Sequence, residues 1–570
     1  MRTKKAVINT MTSIMAEVVS IICGLILPRL ILGAFGSSYN GITSSITQFL
    51  SCIVLLRAGV GSVTRAALYN PLSKKDKSEI SGIVNATAIF MKKVALIYVG
   101  ALIVFACVYP FLVRNSFSWI FSATLVLIIG SSTFVDNYFG IAYQMLLQAD
   151  QKNYVNTIPQ IVTTILNTIV AAVLIHCGAG IHLVKLGSAI VYFIRPLFLS
   201  YYVKKKYEID ADIKPNNSAI SQRWDAFAQQ AAAFVNNNTD VIVLTMFSDI
   251  KEVSVYTVYY MVANGLYKVE QTFTDGIEAA FGNMLAKKEN RVLQENFRVV
   301  EYLVFTSAAF LFICGAALIV PFAEVYTLGI SDVSYNRPLF GMLMCLNQFL
   351  FCVRLPYHML VDAAGHFKQT RNGAIFEAFL NVIVSVTLVI KFGLIGVTIG
   401  TFCALLFRTL QYSIYASKNI LQRKYRFVAE HIALSIVQAV IVSLVLKLIY
   451  VPIFSSYINW ILYAIEVAIV VVIVLIISSA IFYKQEEKLK FFGKGEAKLT
   501  EMKVCIVTVY NSENCGSYWQ AFALCSYLKQ GGCDVSFMKR KRKGTSHSIV
   551  YVGRQTLKWI LKGEIEKAKA

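Results

Sequence analysis

The sequence repeats itself at an offset of about 213 residues, and both copies are built from apolar segments of membrane-spanning length. Gly180, Gly187, Arg195, Tyr202 and Lys205 recur at the same intervals as Gly393, Gly400, Arg408, Tyr415 and Lys418. One residue out of that register, Tyr143-Gln144-Met145-Leu146 is echoed by Tyr357-His358-Met359-Leu360. Such a duplication restricts the chain to two related helical lobes, an arrangement that places the functional cavity between them.

The solvent for most of the chain is lipid. Of 570 residues 56% are hydrophobic and only 15% charged, with a mean hydropathy of +0.60, more apolar surface than a soluble core can absorb. Counting runs of roughly 20 apolar residues gives about 14 helical spans. The runs are continuous rather than alternating, which excludes a β-barrel. The expected fold is an all-α integral membrane protein with an N-terminal six-helix lobe (1–205), a C-terminal six-helix lobe (206–420) and two extra helices (421–484). A charged linker (485–501) and a short α/β segment (502–570) follow.

Lys and Arg fall on one side of the spans. Lys4, Lys5, Lys74, Lys75, Lys204, Lys205, Lys287, Arg291, Lys418 and Arg423 flank that side, while the other loops hold little beyond Arg29, Arg114, Lys251, Arg337 and Lys391. By the positive-inside rule both termini are cytoplasmic. The net charge of +22 reflects this bias and a basic tail, so nucleic acid is not expected as a partner. The N-terminal apolar stretch is interrupted by Asn9, Thr10, Thr12, Ser13 and Glu17, and is read as a permanent first helix rather than a cleaved signal. The 12 cysteines and 6 histidines show no ligand or pairing interval, so disulfides, metal sites and cofactors are not expected.

Ionisable groups inside the spans carry the functional information, because each costs roughly 2.5 to 3.5 kcal/mol at the bilayer centre unless it faces a cavity or a partner. Span 2 carries Arg57 and ends at Arg65, whereas span 8 carries Lys268, Glu270, Asp275 and Glu278. Under the repeat, Arg57 maps onto Glu270 and Arg65 onto Glu278, setting cations of one lobe against anions of the other. These pairs are expected to close the cytoplasmic mouth when the protein faces outward. The competing reading of Arg65 and Glu278 is that they are ordinary helix ends reaching water. Glu17 and Asp240, on the helices that open each lobe, are candidates for ion coupling and could line one cavity.

The segments PRLILGAFGSSYNGI, YQMLLQADQKNY, RPLFLSYYVKKKY, KEVSVYTVYYMV and DAAGHFKQTRNGAIFEA resemble polysaccharide biosynthesis flippases. These are the Wzx-type exporters of O-antigen and capsule repeat units within the multidrug/oligosaccharidyl-lipid/polysaccharide (MOP) superfamily. The resemblance spans about residues 1 to 485 through many short matches in order. It implies a MATE-like V of two lobes that moves an oligosaccharide on undecaprenyl pyrophosphate across the bacterial cytoplasmic membrane, with membrane lipid and the polysaccharide polymerase and export machinery as partners. It also implies a cavity lined by helices 1, 2, 7 and 8. Arg57 and Lys268 are then candidates for phosphate contact, with Arg29 on the release side. Arg57 departs from the family, many members of which carry an acidic or neutral residue there. A MATE-type multidrug exporter and a lipid II flippase are the alternatives.

In the tail, MKVCIVTVY reads as a strand, SYWQAFALCSYLKQ as a helix and CDVSFMKR as a second strand. Asn511, Asn514, Gly516, Gln520, Ala521, Ala523 and Leu524 resemble the opening of polysaccharide pyruvyl transferases. At about 69 residues this stretch is expected to be a fragment too short to catalyse, so the chain is read as a transporter and not as an enzyme.

Overall fold

Apolar runs of this length satisfy their own backbone only as helices, and the computed structural model is helical throughout its membrane part. It describes residues 2–54, 60–113, 115–210, 212–216, 238–274, 277–424, 426–448, 454, 456–482, 503–506 and 534–537. The first copy comprises α1 (Arg2–Phe35), α2 (Ser37–Val54), α3 (Val60–Lys74), α4 (Lys77–Leu112), α5 (Trp119–Val135), a π-helical turn (Asp136–Gly140), α6 (Ile141–Ala149), α7 (Tyr154–His176) and α8 (Ile181–Tyr207). The second comprises α9 (Asn238–Phe247), α10 (Ile250–Thr274), α11 (Ile277–Ala286), α12 (Asn290–Tyr326), α13 (Pro338–Ala363) and α14 (Phe367–Asn419). Helices α15 (Arg426–Leu446) and α16 (Tyr457–Phe482) follow.

Ten stretches among the described residues are long and apolar enough to cross a membrane. One of them, α14, holds two of the expected spans. Its 53 residues would run about 80 Å if straight, far beyond the roughly 30 Å of hydrocarbon. The chain instead breaks at Gly393, whose φ of +53° and ψ of −127° lie outside the helical region. Gly393 is the repeat counterpart of Gly180, which caps α8, so the two limbs of α14 correspond to α7 and α8. The expected spans not among the ten correspond to α2, α9 and α10, of which α2 and α9 border residues outside the described ones.

The repeated glycines serve one packing job. A Cβ on Gly187 would stand 2.8 Å from Leu174 Cδ1, and one on Gly400 would stand 2.2 Å from Ser385 Oγ and 2.6 Å from its backbone nitrogen. Both positions therefore let the last two helices of a half approach closely, as small residues do in membranes. The repeated arginines likewise tie those helices together. Arg195 Nη2 donates to Asn156 Oδ1 at 2.9 Å and Arg408 Nη1 donates to the Thr370 carbonyl at 2.9 Å.

Within the first copy α1 packs on α7, α7 on α8, and α5 on α4 and α8; within the second α13 packs on α10, α11, α12 and α14. The copies meet chiefly where α2 lies along α10. α15 packs on α12, and Trp460 of α16 donates to the Leu318 carbonyl of α12 at 3.2 Å.

The chain divides into two compact units, Met1–Ile476 and Ile477–Ala570. In the second, β1 (Lys503–Ile506) pairs in parallel with β2 (Asp534–Phe537), in the register Lys503 to Asp534 through Ile506 to Phe537. Parallel neighbours require a crossover connection, as a strand–helix–strand unit supplies. The linker at 485–501 and the motif residues between the strands lie outside the described residues.

Gly400→Ala forces Ser385 backbone to shift and is expected to cost about 1 to 3 kcal/mol, read as a lowered unfolding midpoint of the purified protein in detergent. Gly187→Ala meets only side-chain tips and should lose less than half as much. A larger loss at Gly187 would overturn the packing assignment.

Candidate functional site

The candidate site is built on the polar helices α2, α9 and α10. On α2, Ser37, Gly41, Ser45 and Gln48 recur at three- and four-residue spacing, which places them on one helix face. That face meets the second copy. A Cβ on Gly41 would stand 2.0 Å from the Ile250 carbonyl oxygen, so only glycine allows α2 to reach the start of α10.

A hydrogen-bonded seam runs along this contact. Ser37 donates its backbone N–H to Asp332 Oδ2 at 2.8 Å and its hydroxyl lies 2.7 Å from Asp332 Oδ1. The Tyr335 hydroxyl bridges Ser37 Oγ at 2.7 Å and Ser254 Oγ at 2.9 Å. Further along, Asn40 donates to Ser254 at 2.8 Å, Ser45 pairs with Thr245 at 2.8 Å, and Gln48 donates to Asn238. Ser37, Ser45 and Ser254 are wholly buried. Two backbone contacts reinforce this end: Arg29 Nη2 donates to the Leu328 carbonyl at 2.8 Å and the Tyr326 hydroxyl to the Leu25 carbonyl at 2.6 Å. The halves are thus sealed at the end of the bundle where α1 turns into α2. The seam was not anticipated from the sequence, although the helical spacing of small polar residues in SSYNGITSSITQ was its signal.

Moving away from the seam, Lys268 on α10 stands 14 residues past Ser254, about 20 Å along the helix. Its ammonium lies 2.5 Å from Glu17 Oε1 on α1, and the two side chains are 40% and 46% exposed. Two residues expected to act separately, one on phosphate and one on a coupling ion, therefore form a single ion pair across the two copies. Desolvation of such an exposed pair is slight, so exchanging Glu17 for another anion costs little.

The expected gate pairs are placed as follows. Arg57 and Asp275 lie outside the described residues. Glu270 is buried inside the second copy, where its Oε1 accepts from Ser307 at 2.8 Å and its Oε2 has no hydrogen-bond partner among the described residues. Arg65 donates to Gln148 Oε1 of its own copy at 2.8 Å, while Glu278 is exposed. Arg65 and Glu278 are thus not joined in this conformation, whose sealed end is the opposite one.

Glu17 is not among the residues lining the cavity that Asp240 faces. Asp240 accepts from the Tyr256 hydroxyl at 2.9 Å and from Thr401 Oγ1 at 2.7 Å, lining a cavity of about 180 Å³ within the second copy. Tyr260, Tyr267, Asn347, Glu377 and Asn381 also line it. Glu377 is already committed, being 2.8 Å from Arg354 Nη1 and 3.3 Å from Arg408 Nε. Among the described residues no group of His, Cys, Asp and Glu is arranged to hold a metal ion.

No protein-family model matches the sequence, and no curated protein matches it. Solved structures do. The lipid II flippase MurJ in an inward closed conformation superposes with a TM-score of 0.61 at 14% identity, covering 84% of this chain and 99% of that one. A multidrug resistance MATE family transporter of the MOP superfamily aligns in its inward-facing conformation with a TM-score of 0.55 at 14% identity over 70% of this chain and 95% of its own. An outward-facing conformation of such a transporter gives 0.51 at 14% identity over 73% and 96%. The chain therefore has the multi-pass helical fold of the MOP exporters.

Asp332→Ala removes the acceptor of two seam hydrogen bonds and is expected to favour opening roughly tenfold, at about 1 kcal/mol or more for the lost interactions. A cysteine placed at the buried Ile42 should then react that much faster with a membrane-impermeant thiol reagent. Unchanged labelling would show that the seam does not hold this end shut.

Proposed function

We propose that this chain, on its MOP exporter fold, is a flippase that carries undecaprenyl-pyrophosphate-linked oligosaccharide repeat units across the bacterial cytoplasmic membrane by alternating access. The observation that carries the reading is the Lys268 and Glu17 pair. It is a cation held at the junction of the two copies by a half-exposed carboxylate, beyond a seam that closes the other end. A pyrophosphate entering from the unsealed end replaces Glu17 as the counter-ion of Lys268, while the lipid tail stays in the bilayer. Arg57 is the second phosphate candidate, and Arg29, fixed beside the seam, is the release-side contact. The flipped unit would pass to the polysaccharide polymerase and export machinery, with both termini cytoplasmic.

Asp240 is the better placed coupling acid. Its carboxylate faces a polar cavity, with two hydroxyl donors and, among the described residues, no cation bonded to it, whereas Glu17 is occupied by Lys268. Glu270 and Arg57, with Arg65 and Glu278, remain the proposed pairs at the mouth opposite the seam.

That same tyrosine-lined, acidic cavity favours the second reading, a MATE-type multidrug exporter. Its volume of about 180 Å³ falls below the roughly 300 to 1,000 Å³ of small-molecule sites, which ranks this reading lower. A lipid II flippase shares the phosphate chemistry and differs only in the glycan. The tail is proposed as a pyruvyl-transferase-like fragment without activity of its own.

A flippase-deficient strain supplied with defined lipid-linked glycans should regain surface polysaccharide when it expresses this chain. Export of cationic dyes with no glycan at the surface would favour the second reading instead. Lys268→Ala should lower glycan export at least tenfold while costing under about 1 kcal/mol of stability, because the pair it breaks is exposed. Equal export by the variant would remove Lys268 from the phosphate site.

A further inference from the structure

Both copies end in a connector that turns back onto the fourth helix of the same copy or its counterpart. After α8, Glu208 adopts a left-handed φ of +49° and the chain doubles back along α4. Asp210 N–H donates to Ser81 Oγ at 3.3 Å, and Asn85 Nδ2 donates to the carbonyls of Asp210 at 2.8 Å and Ile213 at 3.1 Å. Asn216 N–H donates to the Gly82 carbonyl at 3.0 Å. A Cβ on Gly82 would stand 3.3 Å from the Lys214 carbonyl oxygen, so glycine permits this approach. Lys77 and Glu208 close the start of the contact with an exposed ion pair, and the Lys77 ammonium lowers the Glu208 carboxyl below its usual range.

The second copy does the same with other residues. After α14, Gln422 adopts a φ of +51°. Gln294 of α12 donates to the Leu421 carbonyl at 2.6 Å, and Arg423 Nη2 donates to Glu301 Oε1 at 2.6 Å with its guanidinium 5.0 Å from the Phe297 ring. Under the repeat offset Gln294 holds the place of Ser81, and α12 begins where α4 does. One copy uses hydroxyl, amide, backbone and an exposed ion pair, whereas the other uses an amide and a buried ion pair. Only the geometry is shared.

That geometry joins helices with little contact of their own. α4 packs on α3, α5 and α6, and α8 on α5, α6 and α7; likewise α12 packs on α10, α11 and α13, and α14 on α13. At this end the connectors link α8 to α4 and α14 to α12.

We propose that the two connectors, at 208–216 and 420–423, are straps that make each half a rigid body and stay docked while the halves rock against one another. The function of the strap is mechanical: with the last helix of a half clamped to its long fourth helix, motion is confined to the α2 and α10 junction. This rests on the transporter reading for the transport arm of its test alone.

The test uses the full-length protein in liposomes, in a background whose native cysteines are replaced. Ser81→Cys with Asp210→Cys, oxidised, locks the first strap. Asn85→Asp, which removes both amide donors with little change of shape, releases it. The locked protein should expose a lipid-linked oligosaccharide to an external lectin within about twofold of its reduced form. Loss of that activity on oxidation alone would overturn the proposal, since the strap would then have to undock. In Asn85→Asp, amide exchange over 209–216 should quicken about tenfold, the scale expected for two lost hydrogen bonds. Spin-label distances between α4 and α8 should broaden, while those within wild type stay fixed as the distances from α2 to α10 change. Unchanged exchange, or an α4 to α8 distance that varies in wild type, would equally overturn it. Arg423→Ala provides the parallel variant for 420–424 should the first fail to fold. If no form of the protein, reduced or oxidised, exposes the glycan, the flippase reading fails and the exchange and distance results still decide the strap.

Discussion

The structure depends on a contact between two membrane surfaces that have no hydrophobic reason to associate. Lipid tails are as apolar as leucine, so helices from the two copies join through close approach and hydrogen bonds. The α2 and α10 seam supplies both, with Gly41 against the Ile250 carbonyl and a run of hydroxyls and amides from Ser37 to Gln48. At roughly 0.6 kcal/mol for each interhelical hydrogen bond in a membrane, such a seam totals a few kcal/mol. About 5.5 kcal/mol moves a two-state population from one extreme to the other. A seam of this strength biases the conformation without fixing it, as a hydrophobic core or a buried ion pair would.

The charges divide along the same line. Glu377 with Arg354 and Arg408, and Glu301 with Arg423, are almost completely buried, so removing one partner strands the other in a dry site. They belong to the fixed frame of the second copy. Lys268 and Glu17 lie at the junction and remain in partial contact with solvent. Neither side chain is fully enclosed by protein. The protein thus keeps these buried ion pairs inside the second copy and a part-exposed one at the junction of the two copies.

Hydropathy and the 213-residue repeat make most of this fold legible in the sequence. Gly180 and Gly393, Gly187 and Gly400, and Arg195 and Arg408 perform matching tasks in the two copies, as equal spacing implies. The pairing of Lys268 with Glu17 was not legible, because it joins helices unrelated by the repeat and separated by 251 residues. Repeat arithmetic relates equivalent positions, and equivalence is not contact: Glu270 turned inward to Ser307 and Arg65 toward Gln148. The seam escaped notice for a different reason. Its serines, threonines and asparagine carry no charge, and on a hydropathy scale they look like ordinary interruptions of an apolar run.

The break at Gly393 bears on how the chain enters the bilayer. Both limbs of α14 are apolar, and the bend between them is a single glycine with Lys391 beside it rather than a hydrophilic loop. A translocon reading such a segment receives no separate stop and start signals, so the limbs partition into lipid as one hairpin. Closure of that hairpin during synthesis fixes which face of the membrane receives Arg423 and every residue after it. The orientation of α15 and α16 then follows from this backbone torsion together with Arg423, Lys424 and Arg426, the basic residues at their entry.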